Sequence, residues 1–94
     1  MTILRIEHAV PDFENWKKAF DRDPVGRQKG GVRRYRVFRP IDDPKYVIVD
    51  LEFDNADQAK SFQAALHQLW GRVEGQVMNA PTARILDVTE VKEY

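Results

Sequence analysis

Length, charge and composition limit what kind of protein this chain can be. Ninety-four residues suffice for one domain with a modest core, and we expect residues 1–94 to form a single domain. Fifteen basic and fifteen acidic residues cancel at pH 7, which argues against a general binder of nucleic acid or anionic membranes. Without cysteine the chain has no disulfide and no thiolate nucleophile. It opens without a signal-peptide pattern, so we expect a cytoplasmic protein that does not enter a membrane.

The first third of the chain predicts a strand, a helix and a long loop. Alternation over Thr2–Ala9 predicts a strand. Asp12 is typical of a helix N-cap, and the apolar residues from Phe13 to Phe20 recur at helical spacing. Residues 21–31 are charged, contain glycine and proline, and show no apolar period. We expect this segment to be a mobile loop that flanks the entrance of a pocket.

The remainder predicts a hairpin, a second helix and a last strand. Val32–Arg39 and Tyr46–Phe53 have strand patterns, and the segment between them carries turn formers. Asn55 is a candidate cap for a second amphipathic helix that ends at Gly71. Residues 72–82 lack periodicity, and Ala83–Val91 predicts the final strand.

The predicted order is therefore βαββαβ, an α+β fold of the ferredoxin-like kind. Right-handed crossovers place the first and third strands in the centre of a four-stranded antiparallel sheet. Both helices then lie on the same face, and the other face is left uncovered. We call that uncovered side the open face.

Alternation along the strands assigns side chains to the two faces. The third strand carries an unbroken apolar row from Val47 to Phe53, which we assign to the helix side together with Tyr35 and Val37 of the second strand. The open face then receives charged residues that neighbouring strands bring together, and it also receives apolar residues. The charged set is Arg5, Arg34, Arg36, Asp50 and Glu52, and the apolar set is Ile3, Val32, Phe38 and Ile48.

Two interpretations of the open face remain at this point. The charges can be ordinary solvated cross-strand pairs, each of about 0–1 kcal/mol. Alternatively, a second copy of the chain covers the face, and the charges form an enclosed network able to orient a polar ligand. The apolar residues favour a homodimer, because they would otherwise leave a hydrophobic patch in water.

The strand and helix order, the single-copy length and the apolar open face resemble the dimeric α+β barrel superfamily. The segments HAVPDFENWKKAF and RVFRPIDDPKYVIVDLEF are similar to those of small antibiotic-biosynthesis-monooxygenase-like proteins. The resemblance implies two facing sheets in a homodimer and a pocket between sheet and helices in each subunit. It implies a small-molecule enzyme or ligand-binding protein, such as a cofactor-independent monooxygenase acting on a hydrophobic aromatic compound. A non-catalytic metabolite-binding or regulatory domain is the alternative.

The same superfamily includes haem-degrading members that use an Asn, Trp and His combination. This chain departs from that combination, because its first strand carries Glu7 and His8 and no histidine follows Trp70. We therefore expect no haem and no other cofactor. RNA binding, which also uses this topology, is disfavoured because the central strands lack paired aromatic residues.

Candidate site residues follow from side-chain chemistry. His8 and His67 have unperturbed pKa values near neutrality and are candidate general bases, although His8 also fits a structural role and His67 a surface position. Arg34 and Arg36 complete the candidate catalytic set. The pocket candidates, of which the two tryptophans also suit a simple core-filling role, are Trp16, Tyr35, Asp50, Glu52 and Trp70. Two histidines without a nearby acidic pattern predict no metal site.

Overall fold

The computed structural model describes residues 1–73 and 79–94, which form a four-stranded antiparallel sheet and two helices. The elements are β1 Thr2–Ala9, α1 Phe13–Asp21, β2 Arg34–Phe38, β3 Tyr46–Phe53, α2 Ala56–Val73 and β4 Asn79–Asp87. The strands lie in the order β2-β3-β1-β4. The predicted βαββαβ order and the central position of the first and third strands are confirmed.

Both helices begin at the caps that the sequence predicts. The Asp12 carboxylate accepts a hydrogen bond from the backbone N–H of Glu14 at 3.3 Å. The Asn55 side chain accepts one from the backbone N–H of Gln58 at 2.9 Å. The end of α2 differs from the prediction, since the helix continues past Gly71 to Val73. Gly71 does not adopt the left-handed backbone that usually terminates a helix at glycine.

The two outer strands have different bounds from those predicted. β2 is shorter than Val32–Arg39, and β4 runs from Asn79 to Asp87 and not from Ala83 to Val91. The reason for the shift of β4 is its partner, because β1 pairs with it from Thr2 opposite Asp87 to Ala9 opposite Asn79. Of the predicted loop 72–82, residues 72–73 are helical and 79–82 are strand, whereas 74–78 lie outside the described residues.

The core lies between the helices and one face of the sheet, as the alternation predicts. The apolar row of β3 is buried, and so are Leu4, Trp16 and Phe62. Val32 is a correction: it packs against this core and not on the open face, because it precedes β2 and does not follow the alternation of that strand. Tyr35 does lie on the helix side, yet it is 41% exposed because β2 is the edge strand.

Two glycines provide a matched test of this packing. A Cβ added at Gly30 would lie 2.5 Å from Cδ1 and 2.8 Å from Cε1 of Phe62, a buried ring. A Cβ at Gly71, within α2, would meet nothing within 4 Å. We expect Gly30→Ala to lower the free energy of unfolding by about 1–3 kcal/mol. Gly71→Ala should raise it by about 0.5–1 kcal/mol, because alanine is the better helix former.

Urea unfolding curves of the parent and both variants measure these changes. A Gly30→Ala protein as stable as the parent would contradict the close approach of the 21–31 loop to α2. The two substitutions are expected to change the free energy of unfolding in opposite directions. This difference distinguishes a packing effect at Gly30 from a general effect of replacing glycine.

Candidate functional site

A cavity of about 320 Å³ lies between the helices and the apolar face of the sheet. Its lining is mostly apolar and aromatic, which is the usual character of a small-molecule pocket. Sheet, both helices and the loop after α1 all contribute to it. We call it the helix-side cavity, and its lining residues are Ile6, His8, Trp16, Ala19, Phe20, Arg22, Asp23, Pro24, Val25, Arg27, Val49, Leu51, Phe62, Leu66, Leu69 and Trp70.

His8 is the titratable side chain that β1 contributes to this cavity. It is 3% exposed, and its ring centre lies 5.8 Å from that of Trp16. Burial lowers the pKa of His8 below its usual value, and a contact of Nδ1 with the carbonyl of Ala9 at 3.3 Å opposes that shift. The ring is therefore neutral at pH 7. If Nδ1 carries the proton and donates to Ala9, Nε2 is the basic nitrogen.

Aromatic rings form the walls on the helix side. Trp16 and Phe20 of α1 stack with ring centres 5.0 Å apart and an interplanar angle of 24°. Trp70 of α2 is buried and lines the same cavity. The two tryptophans thus contribute to the core and also border the cavity, so the two roles weighed from the sequence coexist.

The loop after α1 contributes Arg22 and Pro24, the exposed residues of the lining, so we place the mouth of the cavity beside this loop. Residues 22–25 and Arg27 line the cavity, in agreement with the expectation that segment 21–31 flanks the entrance. Asp23 adopts a positive φ of 51°, and its carboxylate accepts a hydrogen bond from the backbone N–H of Arg27 at 2.8 Å. The predicted mobility of this loop stays a prediction. Asp23 and Arg27 were not predictable from the sequence, because loop residues follow no period that would indicate the direction of their side chains.

Arg27 is held firmly at this mouth. Its Nη1 donates a hydrogen bond to the carbonyl of Phe20 at 2.8 Å. Its guanidinium carbon lies 4.1 Å from the ring centre of Phe20 and 4.9 Å from that of Tyr35. These contacts fix a positive charge over two aromatic faces. Tyr35 therefore borders the mouth from outside, although it is not among the residues that line the cavity.

The charged residues of β1, β2 and β3 meet on the open face, away from this cavity. Arg5 donates two hydrogen bonds to the Asp50 carboxylate, from Nε at 2.8 Å and from Nη2 at 2.9 Å. Arg36 lies 3.7 Å from the same carboxylate, and Arg34 pairs with Glu52. Asp50 and Glu52 are only 1% and 2% exposed, whereas the arginines reach water. Strand register explains the cluster, because Asp50 lies directly between Arg5 and Arg36.

The structure therefore divides the candidate residues among different places. His8, Trp16 and Trp70 share the helix-side cavity. Arg34, Arg36, Asp50 and Glu52 lie on the opposite face of the sheet, which agrees with the assigned faces and separates them from His8. His67 is exposed on α2 with its ring centre 5.2 Å from that of Trp70, and it does not line the cavity.

Within residues 1–73 and 79–94, no group of three or more histidine, aspartate or glutamate side chains is arranged to hold a metal ion. Over the same described part of the chain, neither helix has the length and apolar character needed to span a bilayer.

Comparison with known proteins relates the fold to solved structures. No protein-family model and no curated protein matches the sequence. A Nitrosomonas europaea protein assigned to the antibiotic biosynthesis monooxygenases superposes with a TM-score of 0.71 at 17% identity, over 96% of this chain and 100% of that one. A mutant of SnoaB, a cofactor-independent oxygenase from Streptomyces nogalater, gives 0.72 at 12% identity, over 96% and 93%.

A third similar structure is a mutant of MhuD with two manganese protoporphyrin IX molecules bound per active site. It gives a TM-score of 0.73 at 12% identity, with complete coverage of both chains. The TM-scores establish a shared fold, and identities this low leave the activity open. The chain therefore shares the ferredoxin-like α+β fold of these structures, and the resemblance seen in the sequence is confirmed at the level of the fold.

Two arginine–carboxylate pairs allow a matched test of the open-face network. Asp50 is buried beneath Arg5, whereas Asp54 pairs with Arg33 in an exposed position. We expect Asp50→Asn to lower the free energy of unfolding by about 2 kcal/mol or more, because it removes a doubly hydrogen-bonded buried carboxylate. Asp54→Asn should leave stability nearly unchanged. Thermal or urea melts measure both effects. Equal effects of the two substitutions would mean that the charged residues of the open face form ordinary solvated pairs.

Proposed function

We propose that this protein is a homodimeric, cofactor-independent monooxygenase that oxidises a small aromatic compound in the helix-side cavity. The observation that carries the proposal is a neutral, buried histidine at the wall of an otherwise apolar and aromatic cavity. Such a cavity binds an apolar ring system, and the imidazole supplies a proton acceptor beside it. The fold shared with SnoaB, itself a cofactor-independent oxygenase, supports the same reaction class.

The proposed reaction requires from the protein a base and a site that excludes water. His8 accepts a proton from an acidified C–H or O–H of the aromatic substrate, which leaves an electron-rich anion. That anion reduces dioxygen and forms a carbon–oxygen bond. For a ring methylene that becomes a carbonyl, one oxygen atom enters the product, and the other leaves as water with the two substrate hydrogens. The apolar walls exclude solvent and strengthen the attraction between the imidazolium and the anion.

Arg34 and Arg36 receive a different role in this proposal. They lie across the sheet from His8, so they do not reach the substrate of the same subunit. We assign them to the open face, where they cover Asp50 and Glu52. Tyr35 borders the mouth of the cavity, and Trp16 and Trp70 form its walls.

A non-catalytic metabolite-binding domain is the second candidate. It is favoured by the position of His8, whose depressed pKa makes it a weak base. Such a domain would bind the same class of compound in the same cavity and would leave it unchanged.

Oxygen uptake with a panel of phenols, hydroquinones and ring-fused ketones separates the two candidates. We expect uptake with at least one compound, and His8→Gln should reduce the rate by about a hundredfold or more, in the range of a lost general base. His67→Gln tests the exposed histidine and should leave the rate unchanged. Binding of the panel without oxygen consumption would support the metabolite-binding domain. Equal loss in both variants would contradict the assignment of His8.

Dimerisation through the open face is the second part of the proposal. Ile3 and Ile48 lie on this face only half-buried in the single chain, and Phe38 is 37% exposed. Across its centre the register aligns Arg36, Asp50, Arg5 and Arg84 in one row, so positive charge exceeds negative charge there. A second copy would remove the apolar residues from water, and an offset between the two copies would keep these rows of arginines apart.

Light scattering at micromolar concentration is expected to give twice the 11.0 kDa mass of one chain. Ile48→Glu should shift the mass to that of a monomer, because it places a carboxylate beside Glu7 on the covered face. Ile41→Glu, at the exposed β2–β3 turn, is the matched control and should stay dimeric. A parent protein of monomer mass would contradict the proposed dimer.

A further inference from the structure

We propose that the helix-side cavity selects a flat apolar compound that bears a carboxylate, and that Arg27 at the mouth binds this carboxylate. The inference rests on the proposed function, because it names the class of molecule that the same cavity takes. It derives from the loop residues at the entrance, which the reaction described above does not use.

The guanidinium of Arg27 is both oriented and incompletely satisfied. Its side chain is 17% exposed, and its stacking on Phe20 and Tyr35 restricts its plane. Among the described residues its side chain donates one hydrogen bond, from Nη1 to Phe20. Oδ1 of Asp23 lies 3.6 Å from Nε, so the two side chains form an ion pair without a hydrogen bond between them. A guanidinium has five N–H donors, so several remain for a ligand.

The charge balance of the cavity also favours an anion. Its ionised lining residues are the two arginines Arg22 and Arg27 and the single acid Asp23, while His8 is neutral. All of these charges belong to the loop at the mouth, and the interior is apolar. A ligand that complements this arrangement has an apolar body that enters the cavity and one negative group that stays at the entrance. A planar carboxylate matches the fork of the guanidinium in shape as well as in charge.

The volume sets the size of the apolar body. A cavity of about 150 Å³ accommodates benzene, and the helix-side cavity of about 320 Å³ is roughly twice as large. Two fused rings therefore suit it. We take 2-naphthoate as the probe and 2-naphthamide as its neutral counterpart of nearly equal shape.

Isothermal titration calorimetry of the dimeric protein with these two probes tests the inference. The parent is expected to bind 2-naphthoate at least tenfold more tightly than 2-naphthamide, as a charge-assisted pair requires. Arg27→Gln should reduce that preference to about twofold or less and leave the affinity for the amide unchanged. Arg27→Lys keeps the charge and should retain part of the preference. Arg33→Gln removes an exposed arginine outside the cavity lining and should behave like the parent.

The outcomes separate this inference from the proposed function. If both probes bind the parent equally, or if Arg27→Gln weakens both equally, the carboxylate selection is wrong while the cavity remains a binding site. A lysine variant with as little preference as the glutamine variant would also contradict selection by charge. If neither probe binds the parent at millimolar concentration, the proposed small-molecule site itself fails, and the inference fails with it.

Discussion

From Val49 to Phe53, strand β3 is buried on both of its faces, and the two faces have opposite chemistry. Towards the helices it presents Val47, Val49, Leu51 and Phe53, and towards the open face it presents Asp50 and Glu52. Carboxylates with so little contact with water need partners, since an unpaired buried charge costs several kcal/mol. Arg5 and Arg34 meet this need from the two neighbouring strands. Their long stems cover the acids while their charged heads remain in contact with water.

This arrangement fixes the register of the central strands. A slip of one residue along β3 would turn Asp50 and Glu52 into the apolar core and would place valines beside the arginines. Both errors are costly, so the ion pairs specify the alignment even where their net stabilisation is modest. Because β3 pairs with β1 at every position from Thr2 to Ala9, the same constraint sets where His8 lies. The position of the candidate base thus depends on charges on the opposite side of the sheet.

The period of two in the strands explains why so much of the sheet was predictable. Side chains of β1 and β3 lie on the faces to which alternation assigns them, and the network of Arg5, Asp50 and Arg36 follows directly from register. The bounds of β4 were not predictable in this way, because they depend on the length of its partner β1 and not on a pattern of their own. The periodicity of a segment depends on its own residues, so it cannot show how far a partner strand extends.

The residues that line the cavity could be predicted only in part by the same reasoning. Trp16 and Trp70 occur at helical spacing, so their inward direction could be predicted, as could the approach of the 21–31 loop. The position of Arg27 could not be predicted, because it depends on contacts with Phe20 of α1 and Tyr35 of β2, which a loop without periodicity does not reveal. A loop of about ten residues between a helix and an edge strand nevertheless has to cross the end of the core, and charged residues on it meet any opening there.

The buried position of His8 limits the chemistry that it could support as a base. Burial disfavours the imidazolium, so the lowered pKa makes His8 a poor base toward an ordinary aromatic hydroxyl in water. Inside the cavity the transfer creates two opposite charges side by side, and their attraction is much stronger there than in solvent. The transfer then becomes favourable only when the substrate anion is delocalised over a ring system and lies against the imidazole. If His8 is the base, the site consequently suits substrates whose own structure makes a proton acidic, and it disfavours simple phenols, whose anions are less delocalised.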